Sequence, residues 1–488
     1  MAPAPTEREL VSRLLDELGD AVRTDDEARE AARLDKSGWL APGRPMAVVE
    51  ATTIDEVQTT MRIASEFGIP VVPRGAGTGL AGGAIGSTGE IVLSVRGMRR
   101  VLEVNVADEL AVVEPGILNA ELNELLAESG LWWAPDPASK AISSVGGNIS
   151  TNAGGILCAK YGVTREAVLG LSVVLADGRL VEVGHRSVKG VTGYDLTALM
   201  IGSEGTLGII VGATLKLRPL PTGVVATIGA YFSDVVGAAA ASAAITAAGL
   251  RPAALELLDA ASLALLDRLL AGEPGHQPLS QRGSAYLLVQ TDGSASEAEA
   301  REALAIIQAA GGDAELTTDP EEGERLLRVR RMAHPAFELA GQVLIEDVAV
   351  PRSQLPAMFA AIERISAESG IAIPTIAHAG DGNLHPNVII PPDMPRSRDG
   401  EVPEQIWQVA DRLFRAAMEL GGTLTGEHGV GLLKRRWLID ELGLDGMELQ
   451  RGIKAVFDPQ GILNPGKVFG PMSLEPELEM ASTRSGAE

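Results

Sequence analysis

The stretch IPVVPRGAGTGLAGGAIG, residues 69–86, decides between two architectures. Within it Gly77-Thr78-Gly79-Leu80-Ala81-Gly82 formally matches the G-x-G-x-x-G fingerprint of a nucleotide-binding βαβ unit. That unit needs a strand before the glycines, a helix after them whose N-terminus faces a pyrophosphate, and an acidic residue further on for the ribose. Here the glycines continue through GGAIGSTG into EIVLSV, another strand-like run, with neither the helix nor a suitably placed carboxylate. A nicotinamide-dependent dehydrogenase of that build is therefore disfavoured. The glycines still need a physical reason. Consecutive residues without side chains let backbone N–H groups converge on an anion, and such a nest needs no helix.

Two further loops share this texture: APDPASKAISSVGGNISTNAGG, 134–155, and GYDLTALMIGSEGTLGII, 193–210. Each glycine costs folding entropy, so three such loops in one segment suit a large ligand carrying a diphosphate and a planar ring. Tight turns in a small β-rich domain are the alternative.

At 488 residues, 45% of them hydrophobic, the chain is too long for one ordinary domain. A formal charge of −24 points to a soluble protein and argues against a nucleic-acid or anionic-membrane partner. The single cysteine, Cys158, leaves neither an intramolecular disulfide nor a thiolate set for an iron–sulfur cluster, and a cytoplasmic setting is expected. The N-terminus reads as an acidic amphipathic helix without a signal-type apolar core. The alanine-rich run at 235–250 falls short of the ~20 strongly apolar residues of a membrane span.

Five segments are expected. Residues 1–44 read as an N-terminal helical segment. Residues 45–221 form a β-rich domain ending at the RPLPTG break. Over 222–425, strand-like runs alternate with Ala/Leu/Glu-rich helices, predicting an α+β domain with an antiparallel sheet. A C-terminal helical segment covers 426–470, and 471–488 reads as a disordered tail.

Two of the six histidines bracket a turn in HAGDGNLHPNV, 378–388. Neutral imidazole is a preferred ligand of zinc and similar ions, and a catalytic site takes three protein ligands with one position open. His378 and His385 fit such a site if the Gly-Asp-Gly turn brings them together, and Glu427, in TGEHGVG, is the best third ligand. Ordinary turn histidines are the alternative. His428, beside Glu427, suits a general base, or else a fourth ligand or an outer hydrogen-bond partner. Asn387 shares the face of His385 in an extended segment and could bond a substrate oxygen. Arg328, Arg330 and Arg331 supply planar forks suited to a carboxylate, although a helical basic face balancing Glu321, Glu322 and Glu324 accounts for most of them.

PRGAGTGLAGG, PDPASKAISSVGGNISTNAGG and IGSEGTLGII resemble, in order and spacing, the FAD-binding domain of the vanillyl-alcohol oxidase and p-cresol methylhydroxylase superfamily. Within it the chain is most similar, from about 45 to 470, to the FAD-dependent 2-hydroxyacid dehydrogenases: D-lactate dehydrogenase, the flavoprotein subunit of glycolate oxidase and D-2-hydroxyglutarate dehydrogenase. The implied fold is α+β: a two-subdomain FAD-binding domain of the p-cresol methylhydroxylase type, a substrate (cap) domain with an antiparallel sheet, and a C-terminal helical segment returning to the FAD domain.

The resemblance implies that Arg74, Gly75, Ala76, Gly77, Thr78, Gly79 and Gly82 wrap the pyrophosphate of noncovalently held FAD. Pro135, Asp136, Gly146, Gly147, Asn148, Thr151, Asn152 and Gly155 would line the flavin and ribityl portion. Glu204, Gly208 and Ile209 would lie on the adenine side, and Asn464, in DPQGILNPGKVF, at the flavin edge. The family's H-x-G-D-G-N-L-H-x-N and G-E-H-G motifs are filled here. They assign His378, His385 and Glu427 to a divalent metal (zinc, or manganese or iron) and His428 to proton abstraction.

The family's W-x-x-R followed by Pro selects Arg330, before Pro335, as the substrate-carboxylate residue, with Leu327 in place of the tryptophan. Ile345 stands where hydroxyglutarate enzymes place a substrate-binding lysine, which favours a small monocarboxylate such as D-lactate or glycolate over D-2-hydroxyglutarate. The implied reaction is metal-assisted oxidation of the 2-hydroxy acid with hydride transfer to FAD. Electrons would then leave to an external quinone, cytochrome, electron-transfer flavoprotein or iron–sulfur subunit, and that acceptor could hold the protein at a membrane periphery. A homodimer is left open, and a non-catalytic flavin-binding subunit is the lower-ranked rival.

Overall fold

The strand Val71–Arg74 that feeds PRGAGTG forms one edge of a four-stranded sheet in the computed structural model, which describes residues 7–273, 277–394 and 402–470. Ala47–Glu50 and Val71–Arg74 both run parallel to Ile91–Ser94, which lies between them. The crossover is the helix Ile54–Phe67. It starts with a capping box, in which Thr53 Oγ1 accepts from the Glu56 amide and the Glu56 carboxylate accepts from the Thr53 amide, and it stops at Gly68 in the left-handed region. Its apolar stripe (Val57, Met61, Ala64) packs with Leu10 and Leu14 of the helix Glu7–Leu18. No helix follows the glycines, and the chain turns directly into Ile91–Ser94.

This sheet belongs to the first of two compact units, which comprises Met1–Ala153, Val163–Leu220 and His428–Glu488. The same unit holds a five-stranded antiparallel sheet in the order Val101–Asn105, Leu110–Val113, Ile209–Lys216, Val168–Val174, Leu180–Gly184. After the helix Leu438–Phe457 the chain lies down beside Val71. The Val71 amide donates to Ile462 O at 2.7 Å, and the Asn464 amide donates back to Val71 O at 2.8 Å. The expected tail, 471–488, lies outside the described residues.

The second unit comprises Gly154–Gly162 and Pro221–Glu427. It is built on an eight-stranded antiparallel sheet with the path Asp313–Thr317, Ala226–Phe232, Ala285–Thr291, Ala254–Leu258, Thr375–His378, Asn383–Ile390, Gln342–Ile345, while Val348–Ala349 also pairs with Asn383–Ile390. Helices Val235–Ala247, Ala260–Leu270, Ser296–Ala309 and Leu355–Ser369 bury apolar stripes, so the central strands are buried on both faces. Asp234 and Asp259 cap the first two of these helices by accepting from Gly237 and Ser262 amides. Among the described residues no helix is long and apolar enough to cross a membrane.

The return of the C-terminal segment rests on one buried charge pair. Lys454 Nζ donates to Asp458 and to the carbonyls of Thr206 and Leu463 at 2.7 and 2.8 Å. Asp458, fully buried, also accepts from the amides of Ile462 and Leu463 at 3.0 and 2.7 Å. Asp458→Ala strands a buried ammonium, and denaturant unfolding should show a loss of about 3–5 kcal/mol. An unchanged midpoint would contradict this account.

Candidate functional site

In the first unit the three glycine-rich loops converge at the carboxyl ends of the parallel strands, the usual ligand side of such a sheet. Ser144 Oγ accepts from Ala76 N of the first loop and from Gly147 N of the second, both at 3.3 Å. The third loop docks on the second through Gly202 N to Ile149 O at 3.0 Å and Glu204 N to Ser150 O at 2.8 Å. Arg74 is held behind its loop by the carbonyls of Ala84 and Leu34 at 2.7 and 3.0 Å. Gly77 has φ +72°, and a Cβ there would lie 2.3 Å from that guanidinium.

The remaining residues of these loops hold different positions. Asn148 spends its side chain on Asn119 and Ser143, Pro135 O accepts from Asn119, and Asn152 accepts from the Arg165 amide. Thr151 Oγ1 donates to Gly147 O. Gly208 and Ile209 sit where the third loop enters a buried strand, Gly208 against Val173. Glu204 accepts from the amides of Val430 and Gly431 at 2.7 and 2.9 Å, and burial pushes its carboxyl up to about 7 against the pull of those donors. Asn464 donates through Nδ2 to Gly83 O and Glu204 O, and its buried Oδ1 has no protein partner among the described residues. An unpaired buried acceptor at this junction fits a ligand N–H. Gly155, with Gly154 before it, lies instead in the second unit.

In the second unit His378 ends one strand and His385 lies in the next, with Ile376 opposite His385 and His378 opposite Asn383. Residues two apart share a face, so the imidazoles are diagonal neighbours on one side of the sheet. Their centroids are 5.0 Å apart. Glu427 Oε1 lies 3.2 Å from His385 Nε2 and 3.7 Å from His378 Nε2, and ligand atoms of all three residues lie within 4.8 Å of one another. This donor set fits a divalent ion.

Burial opposes charge on His378, but Glu256 and Glu427 beside it hold its pKa well above the usual value. Glu427 stays well below the ordinary carboxylate range despite burial because of the two imidazoles. Asn387 follows His385 on the same face. Its Nδ2 is committed to Pro374 O and His385 O, and its buried Oδ1 has no partner among the described residues. Ile345 lies directly opposite Asn387. His428 begins the segment that belongs to the first unit.

The arginines separate clearly. Arg328 and Arg331 form exposed pairs with Glu273 and Glu324. Arg330 donates through Nε to Glu256 Oε2 at 2.6 Å, and its Nη groups have no protein partner among the described residues. Sequence reasoning missed two carboxylates here. Glu256, the lone acid in the apolar strand ALELL, accepts from both Arg330 and His378. Asp347, just after VLIE, accepts from the amides of Gly426 and Glu427 at 2.6 Å and so fixes the Glu427 loop. Gly154 was equally silent: a Cβ there would lie 2.8 Å from Glu427 Oε2. An acid inside an otherwise apolar strand was the one available signal.

A family described as "FAD binding domain" matches residues 45–184, and one described as "FAD linked oxidases, C-terminal domain" matches 223–468. The chain is 39% identical to a glycolate oxidase subunit GlcD of Bacillus subtilis strain 168, over 87% of this chain and 89% of that protein. It is 35% identical to a D-lactate dehydrogenase of Anaerostipes hadrus, over 92% and 94%. The fold matches a substrate-bound p-cresol methylhydroxylase with a TM-score of 0.76 at 18% identity, covering 95% of this chain and 97% of that one. A 4-ethylphenol oxidase from Gulosibacter chungangensis matches with a TM-score of 0.75 at 22% identity, covering 96% and 99%.

Gly77→Ala combines a left-handed φ with a clash against a tethered guanidinium. A strain of about 1–3 kcal/mol is expected, which corresponds to roughly a 5- to 150-fold loss of FAD affinity. Fluorescence titration of FAD into the apoprotein measures it, and wild-type affinity would remove Gly77 from the cofactor cradle.

Proposed function

The chain belongs to the FAD-linked oxidases and is an oxidoreductase, and from that premise we propose that it oxidises a small D-2-hydroxy acid, D-lactate or glycolate, to the 2-keto acid. The observation that carries this reading is the His378–His385–Glu427 cluster with Asn387, Ile345 and Arg330 in the same unit. Relatives described as glycolate oxidase subunits and D-lactate dehydrogenases support the substrate class.

Each residue has a distinct task in the proposal. The free Nη edge of Arg330 pairs bidentately with the substrate carboxylate. On binding, Asn387 Oδ1 accepts from the substrate hydroxyl, since its amide hydrogens are already engaged, and the hydroxyl gives up that single proton to His428 when the reaction begins. Ile345 offers apolar surface where a second substrate carboxylate would need a cation, which favours a monocarboxylate. His378 Nε2, His385 Nε2 and Glu427 Oε1 would hold a zinc, manganese or iron ion, whose Lewis acidity would make the hydroxyl more acidic. His428 takes the hydroxyl proton. FAD, cradled by the loops around Arg74–Gly82, Pro135–Asn152 and Glu204 with Asn464, supplies the two-electron acceptor. With one cysteine the chain has no cluster of its own, so the electrons leave to a quinone, cytochrome, electron-transfer flavoprotein or iron–sulfur subunit. A cytoplasmic protein that meets a membrane only through that acceptor fits these features.

Anaerobic addition of D-lactate, glycolate and D-2-hydroxyglutarate to the metal-replete protein tests the reading. Flavin absorbance should bleach with D-lactate or glycolate, and pretreatment with a chelator should abolish the bleaching. A protein with bound flavin that none of the three bleaches would end the hydroxyacid reading. Bleaching by D-2-hydroxyglutarate alone would overturn the argument from Ile345.

A further inference from the structure

Glu256 is fully buried in the strand Ala254–Leu258, opposite His378 on one side and Leu288 on the other. A carboxylate inside a sheet costs several kcal/mol of desolvation, about what an apolar residue at the same position would avoid. Its oxygens are divided without remainder. Oε1 accepts from His378 Nδ1 at 2.7 Å, and Oε2 accepts from Arg330 Nε at 2.6 Å.

Each bond has a consequence beyond its own partner. With Nδ1–H committed to Glu256, Nε2 is the nitrogen of His378 left to give its proton up to a cation, and it faces Glu427. With Nε committed, the Arg330 fork cannot swing about its stem, and its Nη edge keeps one orientation. One carboxylate therefore fixes both the nitrogen offered to a cation and the guanidinium offered to an anion. A 2-hydroxy acid presents its hydroxyl and carboxylate on adjacent carbons, so it requires such a fixed separation.

We infer that Glu256 is a positioning residue for the oxidation: it sets the tautomer of His378 and the orientation of Arg330, the groups that would meet the hydroxyl and the carboxylate of a 2-hydroxy acid. This rests on the function proposed above. Gln at 256 cannot satisfy both donors, because one of its two terminal atoms is itself a donor.

The test uses the full-length, FAD-loaded protein after chelator treatment, titrated calorimetrically with Mn²⁺, with His378→Ala as reference. Glu256→Gln should weaken Mn²⁺ binding about 10–100-fold, and Glu256→Asp should recover part of it. At saturating Mn²⁺ the Gln variant should still show a raised KM for the hydroxyacid that bleaches the wild type, because Arg330 has lost its anchor. Flavin absorbance and a cooperative melt report folding. If the Gln variant does not fold, the Asp variant carries the same comparison, with weakened Mn²⁺ binding expected and unchanged binding overturning the inference. Wild-type Mn²⁺ affinity and KM in Glu256→Gln, alongside loss of binding in His378→Ala, would sink the role of Glu256 and leave the site standing. A wild type that neither binds Mn²⁺ nor is bleached by any hydroxyacid would sink both.

Discussion

A strand sends alternate side chains to opposite faces, so two histidines seven positions apart share a face only through the register of the hairpin between them. Ile376 opposite His385 is that register, and it makes His378 the diagonal neighbour of His385. A slip of one residue would turn His385 to the other face and dissolve the cluster. The Gly-Asp-Gly turn holds the register in place. Gly382 has φ +92°, its amide donates to His378 O, and its carbonyl accepts from Val350 N. A Cβ at 382 would lie 2.1 Å from Val350 O, so only glycine closes the turn there.

Around that hairpin the second unit buries Glu256 and Asp347 and half-buries Glu427 in a chain whose formal charge is −24. Buried carboxylates persist only where each is supplied with donors. Glu256 has an imidazole and a guanidinium, Asp347 has two backbone amides and the Thr425 hydroxyl, and Glu427 faces two imidazoles. The global charge disfavours anions, whereas Arg330 supplies a local cation in this unit. Local geometry outweighs net charge because a distant exposed charge is screened beyond about 8–10 Å and a buried neighbour is not.

The first unit solves a different problem, how to fix three glycine-rich loops against one another. Its glycine loops dock on one another through Ser144 and the Ile149–Ser150 carbonyls. The C-terminal segment then closes on them through Lys454, Asp458 and Asn464. The end of the described chain lies beside the strand that feeds the first glycine loop, and the physical means is one buried ion pair together with two main-chain bonds to Val71.

The sequence by itself determined the elements and the ligand candidates. The glycine run with no helix after it excluded the βαβ fingerprint, because that fold's anion site needs a helix N-terminus. The alanine-, leucine- and glutamate-rich segments became the helices Val235–Ala247 and Ser296–Ala309, because these residue types lose little freedom in a helix. His378, His385 and Glu427 were legible as residue types in tight glycine turns. Tertiary structure decided the rest. It moved Gly154–Gly162 into the second unit, and it spent Asn148 on Asn119 and Ser143. It also separated Arg330 from Arg328 and Arg331 by giving only Arg330 a buried partner. Glu256 and Asp347 were invisible beforehand because their partners lie 74 to 122 positions away for the first and 78 to 80 for the second. Local pattern reports which face a residue occupies. It cannot report what a non-adjacent strand brings to that face, and there the donors of a buried carboxylate are chosen.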